Sequence, residues 1–342
     1  MKKIITVLFL FCAFMGWSQT PLLTTKWNQG YPYNILCPAD PYENYARCYT
    51  GCPATAMGQI LNHLRTTQNT RFDDSDDYTA NYAGRQFHID DDWEMYQFPS
   101  FLQLNELLDS VDATFQRGED LSDSLVAALI FASGVACQQV YTASPNYGSG
   151  TFNVYQAFSA YQRFGFTDSQ LFQEPDSTMF AILISNLQNG YPAHLAVENS
   201  AGTSGHNVVV DGYRESDGKF HINFGWGGYK DNWYKLPDPG GFSYGWTKIE
   251  GIIVDIIPTT SSVVSHESSK PLEVYPNPVS DLLHIKELPC EVVDYAIFDV
   301  SGRMVAAGTS NGSISVAGLQ KGIYLLQIKG EKLLKTAKFM VK

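Results

Sequence analysis

Positive charge is in short supply in this sequence. Its 342 residues carry 23 Lys and Arg against 35 Asp and Glu, a net charge of −12. Without a basic run, neither a nucleic-acid backbone nor an anionic membrane surface finds its counter-charge, so no nucleic-acid partner is expected. No apolar stretch reaches the roughly 20 residues of a spanning helix, so no transmembrane segment is expected. Neither HExxH nor CxxC occurs, and "NYGSG" and "GWGG" match no phosphate-binding spacing. The acidic runs "DDSDD" (73–77) and "DDD" (90–92) lack the glycine and closing glutamate of a calcium loop, and read as solvated loops. No metal or cofactor is therefore expected, and no internal repeat is visible.

Cysteine is sparse too, with six in the chain. One of them, Cys12, falls in an N-terminal segment with the layout of a secretory signal. Lys2 and Lys3 precede apolar Ile4–Met15, and Gly16-Trp17-Ser18 sets small residues at the −3 and −1 positions before Gln19. Residues 1–18 are thus a signal peptide, and Cys12 leaves with it. Cys37, Cys48, Cys52, Cys137 and Cys290 remain, and an odd number in an exported chain leaves at least one free thiol. If Cys52 is free, Cys37–Cys48 is a candidate disulfide; five unpaired thiols fit the sequence equally well.

Three regions follow the signal. Residues 19–258 are aromatic-rich. Helical patterns fall at Pro53–Leu64, Phe101–Ser110, Ser122–Cys137, Phe152–Phe164 and Ser177–Asn189; strand patterns fall at Tyr191–Val197, His206–Tyr213, Lys219–Phe224 and Lys248–Ile257. Helices first and strands later is an α+β order. Residues 259–270, "TTSSVVSHESSK", form a polar linker. Residues 271–342 hold short strand-like runs separated by turn residues, the texture of a small β-sandwich.

The chemistry concentrates in "CYTGCPATAMGQILNHL", Cys48 to Leu64. Met57, Ile60, Leu61 and Leu64 recur at helical spacing and define a buried face. Pro53 suits the first helical position, which puts Cys52 at the cap. Helix-terminal N–H groups favour a thiolate and can hold an oxyanion. The plain alternative is a buried structural cysteine. A nucleophilic thiol needs a base. Of seven histidines, His206 in "SGHNVVVDGY" follows small residues at the mouth of an apolar strand. It lies 154 residues beyond Cys52, near the roughly 130–150 of papain-like proteases. A third group should orient the imidazole. Asn223 in "HINFGWGG" faces His206 if the intervening hairpin centres near Arg214–Glu215, and misses it if the turn is at Asp217–Gly218. Asp211 is the runner-up, and Trp226 either shields a His–Asn hydrogen bond from water or packs the core.

"TGCPATAMGQIL", "GHNVVVDGY" and "FHINFGWGG", with "TKWNQGYPYN" upstream, closely resemble the streptopain family of papain-like cysteine endopeptidases over roughly Leu22 to Pro258. The resemblance implies a papain-like fold, helical part plus antiparallel sheet, acting on protein or peptide substrates. It implies Cys52 as nucleophile and His206 as general base, with Asn223 and Trp226 in support. By the same resemblance Gly205 lines the substrate site, Ser149 contacts substrate, and Gln29 serves the oxyanion hole. Two departures stand out. Pro53 replaces a branched aliphatic residue, and about thirty residues between signal and Cys52 leave no room for a folded prodomain, so zymogen control by one is not expected.

"VYPNPVSDLLHI", "FDVSGRMV" and "LQKGIYLLQI" resemble the type IX secretion sorting domain of Bacteroidetes-type bacteria. This implies export across the outer membrane, with the secretion machinery as partner and a secreted or cell-surface location. The combined expectation is a secreted cysteine endopeptidase. Its rivals are a binding or adhesion protein on a degenerate protease fold, and an acyltransferase using the same thiol chemistry.

Overall fold

The structure is a computed structural model that describes residues 20–236, 245–259, 272, 274–286, 293–299, 304–330 and 333–342. The expected signal peptide, most of the linker and Cys290 lie outside these residues. The chain divides into two compact units at Thr259/Thr260.

The first unit opens with the two-residue strands β1 (Ala39–Asp40) and β2 (Ala46–Arg47), paired with each other, and then helix α1 (Cys52–Leu64). A hairpin of β3 (Tyr78–Tyr82) and β4 (Arg85–Ile89) follows. Helices α2 (Trp93–Tyr96), α3 (Phe101–Gln116), α4 (Asp123–Ala136) and α5 (Val154–Arg163) come next, then β5 (Gln170–Phe172) and α6 (Ser177–Gln188). Strands β6 (Ala193–Asn199), β7 (Gly205–Arg214), β8 (Lys219–Asn223), β9 (Asn232–Tyr234) and β10 (Trp246–Val254) complete it. The main sheet is antiparallel, ordered β5-β10-β6-β7-β8-β9. The α+β order is as expected. The β3–β4 hairpin is additional, and α3 runs six residues past its expected end because Val111 and Phe115 continue its buried stripe.

Helix α1 is enclosed on more than one face: from Pro53 to Leu61 every residue is buried. It can be so because Ala54, Ala56 and Gly58 are small. A Cβ on Gly58 would stand 2.9 Å from Ile130 on α4, so glycine sets how closely the two helices approach. Ala196, Val209 and Ile253 bring one face of the main sheet into this helical core. Val208, Val210, Leu195 and Ile222 pack on the other face with Met179 and Leu183 of α6. Alternate residues of β7 thus serve two cores, as the two-residue strand period requires.

The loop after α4 forms a wall beside the start of α1, and a buried carboxylate fastens it. Asp40, fully buried, accepts from Arg85 Nε at 3.0 Å, from Ala143 N at 2.9 Å and from Tyr42 N at 3.0 Å. The acidic runs also have partners: Asp76 pairs with Arg163 at 2.8 Å, and Asp92 accepts from His88 N at 2.8 Å. They are therefore structural anchors as well as surface charge.

The second unit contains β11 (Val274–Tyr275), β12 (Leu282–Ile285), β13 (Val293–Phe298), β14 (Met304–Ser310), β15 (Ser313–Ser315), β16 (Gly322–Gly330) and β17 (Leu333–Val341). They form one sheet ordered β11-β12-β15 and another ordered β14-β13-β16-β17. Leu283, Ile297, Ile314, Leu326 and Phe339 share a core between them, the expected sandwich.

Asp40→Ala leaves the Arg85 guanidinium buried with only the half-exposed Glu43 to pair with. Loss of a buried partner costs on the order of 3–5 kcal/mol. Urea denaturation of the variant is expected to show that loss in its midpoint.

Candidate active site

Gly51, with φ of 79°, caps α1, so Cys52 is the first helical residue and Pro53 the second, one position later than the sequence pattern suggested. Only glycine serves here. The φ lies in the left-handed region, and a Cβ would meet Gln139 Oε1 at 2.5 Å and Gly150 Cα at 3.2 Å. Gln139 Nε2 donates to Thr50 O at 2.7 Å and holds the turn into the helix. The Cys52 N–H, at N1, has no partner within the helix, and Pro53 has no N–H at all.

Cys52 opens onto a cleft of about 530 Å³ lined also by Gly205, His206, Asn207, Tyr147, Ser149, Phe152, Glu198 and Glu250. A larger groove of about 760 Å³, between Trp93 and Leu107, is lined by two carboxylates and the Ser110 hydroxyl but by no thiol and no histidine. His206 is buried at the start of β7. Its Nε2 lies 2.9 Å from Phe224 O. A carbonyl only accepts, so Nε2 carries the proton, and in the neutral ring the lone pair is on Nδ1. Trp226 stacks on the imidazole with centroids 4.6 Å apart and Trp246 with centroids 5.0 Å apart. Trp226 thus covers the histidine and also packs against the second core, while the His–Asn hydrogen bond it was expected to shield is not made. Trp246 was not singled out in the sequence, where nothing local marks it.

Asn223 does not meet His206. The β7–β8 turn spans residues 215–218, and a bulge at Asp211 shifts the register, so Asn223 pairs with Val209. Its Oδ1 accepts from Gln59 Nε2 at 3.1 Å and from Gly225 N at 2.9 Å, and its Nδ2 donates to Thr25 O at 3.0 Å. Thr25 Oγ1 closes the ring by donating to Gln59 Oε1 at 2.7 Å. The orienting acceptor is the backbone carbonyl one residue on. Asp211, the runner-up, binds His221 Nδ1 at 2.7 Å and Leu23 N at 3.1 Å instead.

The remaining expected residues divide. Gly205 lies exposed on the cleft, and a Cβ there would stand 2.8 Å from Val197 O, which explains the glycine. Ser149 lines the cleft too, but its hydroxyl is committed, accepting from Thr142 N at 2.9 Å and donating to Thr142 O at 3.0 Å. Gln29 is fixed through its carbonyl, which accepts from Thr50 N at 3.0 Å; its side chain is not part of the cleft lining. Cys37 and Cys48 are both buried free thiols, so the candidate disulfide is absent.

The sulfur's neighbour is a residue that sequence reasoning passed over. Asn207 Nδ2 lies 3.7 Å from Cys52 Sγ, and among the described residues no hydrogen bond joins Cys52 to His206. The signal was available, since Asn207 is the one amide in the otherwise apolar run after His206. Burial pushes the Cys52 thiol up, against the downward pull of hydrogen bonds from Asn207, and Glu250 adds to the rise. The expected depression at a helix N-terminus is therefore outweighed by desolvation. Burial likewise pushes His206 and His194 down to about 4. Both shifts favour the neutral thiol and the neutral imidazole.

Those two rings make stability pH-dependent. Unfolded, each binds a proton as pH falls through 6.5; folded, neither does until about 4. Their contribution is complete above pH 6.5 and is lost as pH falls through that window, by at most roughly 3 kcal/mol per ring. Urea midpoints are expected to drop steadily from pH ~6.5 to ~4, and more shallowly in His194→Gln.

Comparison with known proteins agrees with this geometry. Residues 273–342 match the secretion system C-terminal sorting domain, which marks the chain for export to the cell surface or beyond. The thiol protease/hemagglutinin PrtT of Porphyromonas gingivalis is 30% identical over 229 residues, 64% of this chain and 24% of PrtT. Streptopain of Streptococcus pyogenes is 26% identical over 254 residues, 68% of this chain and 60% of streptopain. The chain therefore spans only part of the length of either relative. The structure of active wild-type Prevotella intermedia interpain A cysteine protease superposes with a TM-score of 0.52 at 26% identity, over 70% of this chain and 95% of that one. A prointerpain A fragment gives 0.51 at 27%, over 70% and 72%. Residues 27–234, more than half of the sequence, match the Peptidase C10 family, and the chain belongs to that family.

Proposed function

We propose that the chain is a secreted cysteine endopeptidase in which Cys52 is the nucleophile and His206 the general base. The observation that carries the reading is the tautomer of His206. Phe224 O holds the Nε2 proton, so a neutral ring beside the cleft keeps its Nδ1 lone pair for the thiol. As Sγ attacks a peptide carbonyl, Nδ1 takes the thiol proton. The Cys52 N–H holds the developing oxyanion, and the Gln29 side chain would have to turn into the cleft to act as a second donor. The imidazolium then protonates the leaving amine. The same ring draws a proton from water, which attacks the thioester and frees the acid. Exposed Gly205 offers its backbone to an extended peptide, and Asn223 supports the site by fixing the turn that carries Phe224.

The export tail supports type IX secretion machinery as the partner. The proposed divisions are 1–18 (signal), 19–258 (protease), 259–270 (linker) and 271–342 (sorting domain); the matches at 27–234 and 273–342 fall within the second and the fourth.

The full chain should hydrolyse casein, and a thiol-directed epoxide should label Cys52. Cys52→Ala is expected to lose both, with at least a ~10⁴-fold drop in kcat/KM. Wild-type protein that neither cleaves nor labels would sink this reading. Asn223→Ala should lower kcat/KM about tenfold and stability by about 1–3 kcal/mol, because Gln59 and Gly225 lose a shared acceptor. Peptide kinetics and urea denaturation check the two halves of that expectation.

A further inference from the structure

A chain of buried polar side chains ends at the nucleophile. Tyr161, on α5, is fully buried, and its hydroxyl lies 3.1 Å from His194 Nδ1. His194, on β6 and also fully buried, places Nε2 2.8 Å from Asn207 Oδ1. Asn207 Nδ2 then lies 3.7 Å from Cys52 Sγ. Three elements of the fold converge on one sulfur.

The hydrogen positions follow by elimination. Asn207 Oδ1 only accepts, so His194 Nε2 carries a proton. Burial keeps the ring neutral at ordinary pH, so His194 Nδ1 is a lone pair and Tyr161 O–H donates to it. Every donor in the chain points toward Cys52. The histidine fixes the amide with its oxygen away from the sulfur and its N–H toward it. That orientation favours a thiolate; the opposite one would present Oδ1 to the sulfur and favour the thiol.

We propose that Asn207 is a catalytic residue that stabilises the Cys52 thiolate through its Nδ2–H, and that His194 and Tyr161 are positioning residues that lock its amide in the donating orientation. This rests on Cys52 being the nucleophile. The device answers a need of the site. Desolvation and the Glu250 carboxylate on β10 both oppose a negative sulfur, and no Lys or Arg is among the cleft-lining residues. The other titratable groups around the cleft are His206 on β7, Glu198 on β6 (paired with Lys248), Tyr82, Tyr147 and the buried Cys137 after α4. None of them supplies a fixed positive charge at the sulfur. A neutral N–H donor held in place stabilises the thiolate at the moment it forms, at no further cost in reorganisation.

The test is the pH dependence of Cys52 alkylation by iodoacetamide in the full chain, with the labelled site identified by peptide mass, alongside kcat and KM on a peptide. A hydrogen bond to a charged group is worth about one pKa unit or somewhat more, so Asn207→Ala is expected to shift the alkylation profile upward by about that and slow neutral-pH labelling roughly tenfold. It should lower kcat and leave KM nearly unchanged. His194→Leu, which fills the space without donating, should give a similar shift. His194→Gln can accept from Tyr161 and donate to Asn207, and should restore the wild-type profile; this separates hydrogen bonding from packing. Tyr161→Phe should move the profile less than His194→Leu. Coincident profiles for wild type and folded Asn207→Ala would overturn the proposal, as would His194→Leu and His194→Gln behaving alike. The two readings fail differently: an Asn207-dependent profile in a chain that cleaves no peptide removes the peptidase assignment alone, whereas normal proteolysis with unshifted profiles removes the relay alone.

Discussion

The closed ring of Thr25, Gln59 and Asn223 is the contact on which the site's geometry depends. Asn223 reaches across 164 residues to α1 and 198 residues to the N-terminal segment. It joins the helix that presents the sulfur to the strand whose end presents the Phe224 carbonyl. Gln59 and Asn223 are buried and Thr25 is half-buried, so the two amides must make their hydrogen bonds here or leave their desolvation uncompensated. That condition fixes the depth of α1 against the sheet, and with it the position of Cys52 relative to His206. The small residues along α1 make the close approach sterically open, while the polar ring selects one register within it.

Around this frame the electrostatics are those of a dry site. The aromatic rings of Trp226, Trp246 and Phe224 enclose the imidazole, and burial moves thiol and histidine in opposite directions, both toward neutrality. A helix N-terminus by itself does not overcome this. Charge in such a place has to be created against fixed dipoles when substrate arrives. The Cys52 N–H, the Asn207 amide and the Phe224 carbonyl are dipoles of that kind, each held by other bonds.

Much of this was legible in the sequence, for definable reasons. The α1 pattern, the glycine–cysteine–proline junction and the glycine-led His206 strand are local signals, and the helix and strand that carry them lie where expected. What the sequence did not settle was lateral alignment. The partner of Asn223 depends on a four-residue turn and on the bulge at Asp211, each of which moves every later pairing, and no residue pattern in "RESDGK" distinguishes the registers. The pairing of Cys37 with Cys48 failed for a similar reason, because proximity along the chain says nothing about burial as separate thiols. Trp246 and the Tyr161–His194–Asn207 series are assembled only in three dimensions. His194 in particular reads as one more histidine in an apolar strand, since its partners come from a helix 33 residues earlier and a strand position 13 residues later.

The Phe224 carbonyl has a further consequence for the timing of proton movement. A carboxylate at that place would bind the imidazolium with a full opposite charge and make it a weak acid. A carbonyl offers only a dipole. In the proposed reaction, once His206 has taken the thiol proton the ring is a buried cation whose Nε2 partner is a carbonyl dipole and not a charge, stabilised by the negative charge it has just helped to form. As that charge passes from sulfur to the tetrahedral oxygen and then collapses, the ring's hold on its proton weakens in step. The base that begins the reaction is thereby turned into a strong acid when the amine needs one, and the conversion is driven by the substrate's own bond changes.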